Sequence, residues 1–425
     1  MDEKFLQYIW QYQLFDNKNL KTVNGEKISI VTQGSINNNA GPDFFNSKIK
    51  IKDTVWAGNI EIHYKSSDWY KHKHDKDKAY NSVILHVVVQ YDTEVYTDTG
   101  QIIPTLILPI NEKLQDNYKT LVYNSDFPAC LPYLQYIPSL IKKQQINRAT
   151  IERLERKIKD IQFVAETTKN NWAIILYRLL GKYFGTKINT LPFEMLTKKL
   201  PLSYLAKHKN SLFQIEALLF GAAGFLKENG KKDKYYLLLQ KEWNFLSVKF
   251  KLASLNLSMW KFSKLRPANF PTIRIAQFAA IIFYSENLFS KIIEINDISV
   301  LQSLFLVKPS SYWDTHYLFS VRNSRQQPKI PGKQFINTLI INVIIPIVFA
   351  YGSYINDNDL KNKALSWMES LPAERNKITE KYQLAGFQIE NAFISQGLLT
   401  LYEKYCTKLN CLNCQIGHRI IKRIV

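Results

Sequence analysis

Residues 41–65, GPDFFNSKIKIKDTVWAGNIEIHYK, decide the fold of the first part of the chain. They contain two runs in which apolar and polar residues alternate, and a short turn joins the runs. Successive side chains of a strand point to opposite faces, so Glu61, His63 and Lys65 share one face of the second run. If the runs pair as a hairpin, Asp43 and Glu61 lie near the same end of neighbouring strands.

Two carboxylates followed by a basic residue predict a site for a divalent cation and a substrate phosphate. Carboxylate oxygens from Asp43 and Glu61 are the ligands that Mg²⁺ or Mn²⁺ prefers. His63 or Lys65, on the same face as Glu61, would position water or offset charge in the transition state. The alternative interpretation is an ordinary surface hairpin whose charges are solvated.

Length and hydrophobic patterning predict two domains of different class. At 425 residues with 46% hydrophobic content, the chain is folded and exceeds the usual size of one core. We expect an α+β (or α/β) domain over residues 1–110, with a mixed sheet and flanking helices. Three prolines indicate a linker over 111–140, and helical periodicity predicts a larger all-helical domain over 141–425 that carries a C-terminal cysteine cluster.

The net charge of +20 favours a nucleic-acid partner, because neutralised phosphates release counterions. Two basic loops are candidate phosphate contacts. One is a proline-bounded loop with Arg266 and Arg274 that leads into a predicted helix, and the other contains Arg322 and Arg325. The alternatives are lysines scattered over a solvated surface and arginines that pair with acids in packed connectors.

The chain shows no pattern typical of export or membrane insertion. Its longest apolar stretch, residues 335–351, is interrupted by two asparagines and a proline, which predicts a buried helix. The first ten residues contain acidic side chains where a signal peptide is basic. We therefore expect a cytoplasmic protein without a membrane partner.

Four of the seven histidines lie within 24 residues of one another, at positions 63, 72, 74 and 86. His72 and His74, with Asp75 or Asp68, would suit Zn²⁺ or Mn²⁺. Such a pair converges only where the backbone is extended or looped, since in a helix the two side chains diverge. The alternative is a charged, solvated turn. His86 lies in an apolar run, which is typical of a hydrogen-bonded core histidine.

The cysteines form a second candidate metal site. Cys406, Cys411 and Cys414 have a spacing that can hold Zn²⁺ or an iron–sulfur cluster, with Cys130 or His418 as the fourth ligand. The alternative is a set of buried or free thiols in a reducing cytosol. Four cysteines in a chain of this length do not indicate a disulfide framework.

The order of predicted elements resembles the core of the restriction-endonuclease-like PD-(D/E)xK phosphodiesterase superfamily. The matching pieces are the Pro-Asp pair at 42–43 and the Glu-x-His triplet at 61–63. By this resemblance Asp43 and Glu61 would hold Mg²⁺, and His63 would replace the lysine of the motif. Histidine is a weaker fixed positive charge at neutral pH, so Lys65 is the alternative source of that charge. The cysteines also resemble the iron–sulfur staple of some nucleases of this class, although their spacing is not matched in full.

The stretch from GPDF to EIHYKSSDWYKHKHDKDKAYNSVILHVV also resembles an uncharacterised family that is known only as a domain of unknown function. The resemblance extends over the chain, including LRPANFPTIRIAQFAA and CLNCQIG. It implies membership in a family without an established activity.

Together these patterns predict a metal-dependent nuclease or related phosphodiesterase. In this interpretation the α/β domain carries the chemistry and the helical domain supplies basic surface for docking. The alternative is a non-catalytic nucleic-acid-binding or scaffold protein with an inactive nuclease-like fold. Hydrolysis of another substrate at a His/Asp metal site is a third interpretation.

Overall fold

The computed structural model describes residues 2–37, 39–227 and 232–423. Its contacts divide the chain into a sheet unit, made of Met1–Gln145 and Glu403–Val425, and a helical unit, Ile146–Tyr402. The helical unit is thus inserted into the sequence of the sheet unit. This division differs from the predicted boundaries, because residues 111–140 and the C-terminal cysteine segment both belong to the sheet unit.

A mixed sheet of six strands, ordered β1-β3-β4-β5-β6 with β2 also paired to β3, forms the sheet unit. The strands are β1 Ile28–Thr32, β2 Ser35–Ile36, β3 Phe44–Ile51, β4 Thr54–Lys65, β5 Val83–Gln90 and β6 Thr105–Ile107. The pairings of β3 with β1, β2 and β4 are antiparallel, whereas β4, β5 and β6 run parallel. The predicted mixed sheet is confirmed.

Two short α-helices pack against the sheet, and α-helices form most of the helical unit. In chain order the α-helices are α1 Glu3–Gln11, α2 Asp68–Lys71, α3 Glu112–Val122, α4 Ser139–Thr167, α5 Trp172–Phe184, α6 Thr190–Lys199, α7 Leu202–Ala206, α8 Leu212–Ala222, α9 Lys234–Phe250, α10 Pro271–Tyr284, α11 Leu288–Glu294, α12 Ile298–Ser303, α13 Lys333–Leu339, α14 Ile345–Tyr354, α15 Asn358–Ser370, α16 Lys377–Leu384, α17 Ala392–Thr400 and α18 Gln415–Ile421. The helical unit also contains a short hairpin of β7 His316–Leu318 and β8 Val321–Arg322. The predicted helical region is confirmed, with this small hairpin as an addition.

The hairpin of β3 and β4 forms as the alternating pattern predicts. Lys52 begins the turn with a left-handed backbone, φ 54°. Phe44 pairs with Ile60, so the next residue outward, Asp43, lies opposite Glu61. A register shift between Phe44 and Ser47 interrupts the pairing. The hairpin therefore brings the two predicted carboxylates to the same end of the sheet.

Both faces of β4 are buried at the candidate site. Ile60 and Ile62 enter the core on one face, whereas Glu61 and His63 are only 5% and 1% exposed on the other. The strand lies between β3 and β5, and both α1 and α2 pack against it. The alternation predicts which residues share a face, but the polar face is covered rather than solvated.

In the helical unit, a π-helical turn at Ile340–Ile344 links α13 and α14. Pro346 has no N–H, so it cannot donate to the carbonyl of Asn342, four residues earlier. The Lys157 ammonium donates to that carbonyl at 3.3 Å and to the Asn342 side-chain oxygen at 2.6 Å. Lys333–Tyr354 is long and apolar enough to cross a membrane, but 67% of its most apolar window is buried inside the protein. This burial fits the core helix that the sequence predicts.

A buried carboxyl group, Glu216 on α8, lies at the centre of a polar network in the helical unit. It is fully buried and accepts hydrogen bonds from Tyr235, from Ser310 at 3.0 Å and from Trp313 at 3.3 Å. Burial raises the pKa of Glu216 from 4.5 to about 7, although these hydrogen bonds lower it. Burial therefore favours the protonated acid, and the hydrogen bonds of the network only partly oppose it.

We expect the free energy of unfolding to fall as the pH rises from about 5 to 8 because of Glu216. The pKa of Glu216 is higher in the folded than in the unfolded state, so its contribution to stability is fully present when both states are protonated. This contribution is lost as the pH rises through about 7, the pKa of the folded state. The shift corresponds to at most about 3 kcal/mol. Urea denaturation of wild type and Glu216→Gln at both pH values measures it. An equal pH dependence in the two proteins would contradict the prediction.

Candidate metal centre

Glu61 and His63 on β4 form the floor of the candidate centre. The Glu61 Oε1 atom lies 3.5 Å from His63 Nε2 and 3.3 Å from His74 Nε2. On the neighbouring strand β5, His86 pairs with Glu61 in the parallel register. Its Nε2 atom lies 2.8 Å from His63 Nδ1. A ring nitrogen held in this way fixes the orientation of His63 and leaves its Nε2 atom directed toward Glu61.

The segment after β4 supplies the other two histidines. Lys73, between α2 and the 3₁₀ helix His74–Lys76, has a left-handed backbone with φ 63° and ψ 31°. This turn breaks the helical path, so that His72 and His74 both face His63 rather than diverge. The His72 Nδ1 atom lies 3.2 Å from His63 Nε2. The looped backbone required for a histidine pair is therefore present.

His63, His72 and His74 can hold a metal ion together. Within the part of the chain that the structure describes, they are the one group of three or more potential ligands whose ligand atoms all lie within 4.8 Å of one another. His63 and His74 are buried, whereas His72 is exposed. The group thus reaches from the interior of the sheet unit to its surface, and His72 marks the open side.

The buried histidines His63, His74 and His86 favour the neutral imidazole form. Burial, followed by the neighbouring histidines, lowers the pKa of His63 to about 2. Burial also lowers the pKa of His86 to about 3 and that of His74 below its ordinary value. A neutral imidazole has a free nitrogen lone pair, which is the form that binds metals.

Two buried nitrogens of the centre, His74 Nε2 and His86 Nδ1, lack a hydrogen-bond partner among the described residues. Glu61 Oε1 lies 3.3 Å from His74 Nε2 but does not satisfy it as a hydrogen bond. Buried polar atoms nearly always have a hydrogen-bond partner, so a buried histidine nitrogen without one is a candidate metal ligand. This observation and the neutral imidazoles both fit a transition-metal ion.

Asp43 lies beside Glu61, as the sequence predicts, but both oxygens of its carboxylate accept hydrogen bonds from the protein. Its oxygens accept hydrogen bonds from the Gln7 side chain at 2.8 Å and from the Ile62 backbone N–H at 3.1 Å. Its own N–H donates to Glu61 Oε2 at 3.0 Å. Asp43 therefore holds the Glu61 strand and the Glu61 side chain in position.

The two carboxyl groups are protonated more readily than isolated acids. Burial, then the charge of Glu61, raises the pKa of Asp43 to about 7. Burial also raises the pKa of Glu61 to about 8, and Glu3 on α1 adds to the shift. Acids this close to one another without a nearby cation favour the neutral form, and a bound cation reverses that preference.

Lys65 differs from Glu61 and His63 in its burial, since both of those residues are buried. It is exposed at the end of β4, where its backbone N–H donates to Asp68 at 3.0 Å. Hydrogen bonds from Ser67, together with the charge of Lys65, lower the pKa of Asp92. The charge of Lys65 thus acts on Asp92, and the residue that accompanies Glu61 is His63.

The predicted phosphate-binding arginines are of two kinds. Arg274 is 6% exposed, and its guanidinium donates to Gln277 at 2.9 Å and to Asn269 at 2.6 Å. It also lies 3.7 Å from the ring centroid of Phe335, so Arg274 is a core residue and the expectation of a phosphate contact there is corrected. The other three arginines are exposed, at positions 266, 322 and 325.

Sequence reasoning missed several residues at the centre. Gln7 and Glu3 lie four residues apart on α1 and therefore share a helix face toward the carboxylates. That spacing was visible in the sequence. His86 contacts His63, and the ring of Tyr80 stacks on His74 with centroids 3.8 Å apart. Residue spacing in the sequence does not predict either contact, because the segments that carry these residues come together only in the folded sheet unit.

The fold and site define a two-unit protein that carries a candidate transition-metal centre on a mixed sheet. The chain belongs to the family described as "Protein of unknown function (DUF2851)", whose model matches residues 3–377. The matched range contains the whole candidate centre and Cys130, and it ends before the other three cysteines. No curated protein and no solved structure matches the chain.

Proposed function

We propose that this protein is a metal-dependent hydrolase that cleaves phosphodiester bonds in nucleic acid. The reaction takes place at the centre formed by His63, His72, His74 and Glu61. The observation that carries the proposal is the convergence of the three histidine nitrogens within 4.8 Å, beside a buried carboxylate. Carboxylates on neighbouring strands of a mixed sheet, Asp43 and Glu61, also support the restriction-endonuclease-like interpretation.

The ligand set favours Mn²⁺ or Zn²⁺ over the Mg²⁺ that the resemblance implies. Imidazole nitrogens suit zinc and related transition metals, whereas Mg²⁺ selects carboxylates, phosphates and water. A divalent ion in this position supplies Lewis acidity and an activated water molecule. Imidazole binds a metal as a neutral ligand, so the full charge of that ion would stay available to a phosphate group.

Each residue of the centre has a separate task in this proposal. Glu61 Oε1 lies between His63 and His74 and accepts a proton from the attacking water. His86 orients the His63 ring, since their nitrogens are 2.8 Å apart. Asp43 is a positioning residue, because its N–H holds the other Glu61 oxygen.

Charge near the open side of the centre supports a polyanionic substrate. His72 is exposed, and the short segment that carries it presents four exposed lysines, Lys71, Lys73, Lys76 and Lys78. The whole chain has a formal charge of +20. Lysines attract a phosphate backbone without regard to its sequence, so they favour nucleic acid as the substrate class.

A non-catalytic role in nucleic-acid binding has one observation in its favour. Both oxygens of Asp43 accept hydrogen bonds from the protein, from Gln7 and Ile62, as in a structural clamp. If the carboxylates only stabilise the sheet, the protein binds nucleic acid and leaves it intact.

The replacement Glu61→Gln tests the hydrolase, because it keeps the shape of the side chain and removes the proton acceptor. We expect the cleavage rate on labelled single- or double-stranded DNA or RNA with Mn²⁺ or Zn²⁺ to fall about 10²- to 10⁴-fold. Asp53→Asn is the matched control, since Asp53 is fully exposed in the β3–β4 turn. The proposal fails if wild type cleaves none of these substrates, or if Glu61→Gln cleaves as fast as Asp53→Asn.

A further inference from the structure

All four cysteines of the chain belong to the sheet unit, although their sequence positions are far apart. Cys130 immediately precedes the 3₁₀ helix Leu131–Tyr136. The other three flank or begin short 3₁₀ turns before α18, at positions 406, 411 and 414. All four are in the thiol form and not in disulfides. The sheet unit thus contains every thiol of the protein, and none of these thiols belongs to the histidine centre.

Contacts on both sides of the cysteines fix the two segments against each other. The Asn117 side chain on α3 donates to the carbonyls of Ile421 at 3.2 Å and Arg423 at 3.0 Å. The Arg423 guanidinium lies 4.3 Å from the ring centroid of Tyr136, in the 3₁₀ helix that follows Cys130. The chain after α18 is therefore bound to the segment that carries Cys130.

The turn that contains Cys411 and Cys414 is closely packed against α18. The Cys414 N–H donates to the Cys411 carbonyl at 3.1 Å, and the His418 N–H donates to the Cys414 carbonyl at 2.7 Å. A β-carbon at Gly417 would lie 2.2 Å from the Cys411 carbonyl oxygen, so only glycine permits this approach. A Cys-x₂-Cys turn followed by a helix is a recurrent arrangement in thiolate metal sites.

The four thiols are close enough to influence one another. Burial, followed by the charges of the thiols at 406, 414 and 411, raises the pKa of Cys130 well above its ordinary range. Burial, followed by Cys414 and Cys406, raises the pKa of Cys411 to about 12.

We propose that Cys130, Cys406, Cys411 and Cys414 together bind a structural metal centre, as zinc or as an iron–sulfur cluster. The ligand chemistry is the same in both cases, four soft thiolates. The Nδ1 atom of His418, the other candidate for a fourth ligand, lies 2.7 Å from the Tyr8 hydroxyl, and its ring packs on Tyr12. The centre ties the C-terminal segment to the sheet unit and is independent of the proposed hydrolysis.

Metal analysis of the full-length chain tests this proposal. The His72→Ala background removes a ligand of the histidine centre, so that the metal content reports on the thiols. After anaerobic purification we expect either about one zinc per chain, or iron with acid-labile sulfide and visible absorption. We expect Cys130→Ser or Cys411→Ser to lose this metal, whereas Lys408→Ala retains it, since Lys408 is exposed beside Cys406.

Thiol titration gives a second readout that needs no cysteine variant to fold. In the native protein the thiols are protected, and all four become reactive after the metal is removed by a chelator. Metal content that is unchanged by Cys130→Ser would overturn the four-cysteine site. So would a wild-type chain that takes up neither zinc nor iron and sulfide on reconstitution, and so would cysteines recovered as disulfides.

Discussion

Replacing His72 with alanine is expected to lower the affinity for Mn²⁺ by more than about 100-fold, because loss of even an outer partner of a metal ligand costs 10- to 100-fold. His72 contributes a nitrogen 3.2 Å from that of His63, and it is the exposed member of the group. We expect the free energy of unfolding of the metal-free protein to change by less than about 0.5 kcal/mol, as for other surface substitutions. Calorimetric titration with Mn²⁺ measures the affinity, since Mn²⁺ binds weakly to thiolates.

The matched control for this experiment is Lys76→Ala. Lys76 lies in the same short segment and is exposed, but it supplies no atom to the histidine group. We expect it to bind Mn²⁺ as wild type does. Equal affinity for Mn²⁺ in His72→Ala and Lys76→Ala would remove His72 from the ligand set and would overturn the three-histidine centre.

Replacing Trp69 with alanine is expected to lower the free energy of unfolding of the sheet unit by about 3–5 kcal/mol. Trp69 is completely buried, and its indole N–H donates to the Tyr96 carbonyl at 3.0 Å. Its ring packs edge-on against His74 and Tyr80, with centroids 5.3 and 5.8 Å away. The substitution leaves a large cavity beneath the segment that carries His72 and His74, so we also expect weaker binding of Mn²⁺.

Urea denaturation followed by circular dichroism measures this loss, with Trp69→Phe and Tyr70→Ala as comparisons. Phenylalanine fills most of the cavity but cannot donate to Tyr96, so it is expected to cost less than alanine. Tyr70 is the exposed neighbour, and its removal is expected to cost least of the three. A Trp69→Ala protein as stable as Tyr70→Ala would show that Trp69 does not support the centre.

The local parts of the fold follow from periodicity. The alternation in residues 44–65 predicts the β3–β4 hairpin, and the apolar run at 83–90 predicts a central strand. The return of residues 403–425 to the sheet unit was not predictable in the same way. It depends on contacts such as that of Asn117 with Ile421, which join distant segments of the chain. Such contacts have no period and no composition signal.

The residues of the candidate centre were predicted as two separate sites, Glu61 with His63 and the pair His72 and His74, and their common environment was not predicted. Alternation correctly places Glu61 and His63 on one face, yet it does not show what covers that face. The highly charged segment after β4 covers that face. The sequence alone does not distinguish a solvated turn from a segment that packs over β4. The left-handed backbone at Lys73 decides between them, because it directs His72 and His74 inward. Similarly, Arg274 is buried by partners that its own loop does not reveal.

The insertion of the helical unit between the two parts of the sheet unit has a consequence for biosynthesis. During translation, the strands and the histidine centre emerge from the ribosome early, whereas the segment that carries three of the cysteines emerges after Tyr402. Domains generally fold as units during synthesis, so the helical unit can fold before that segment docks. Until that segment is synthesised, α1 and α3 lack their contacts with it. Metal binding at the cysteine site would then be the last step of assembly. Chains whose synthesis stops within the helical unit would lack that metal and would be exposed to proteolysis.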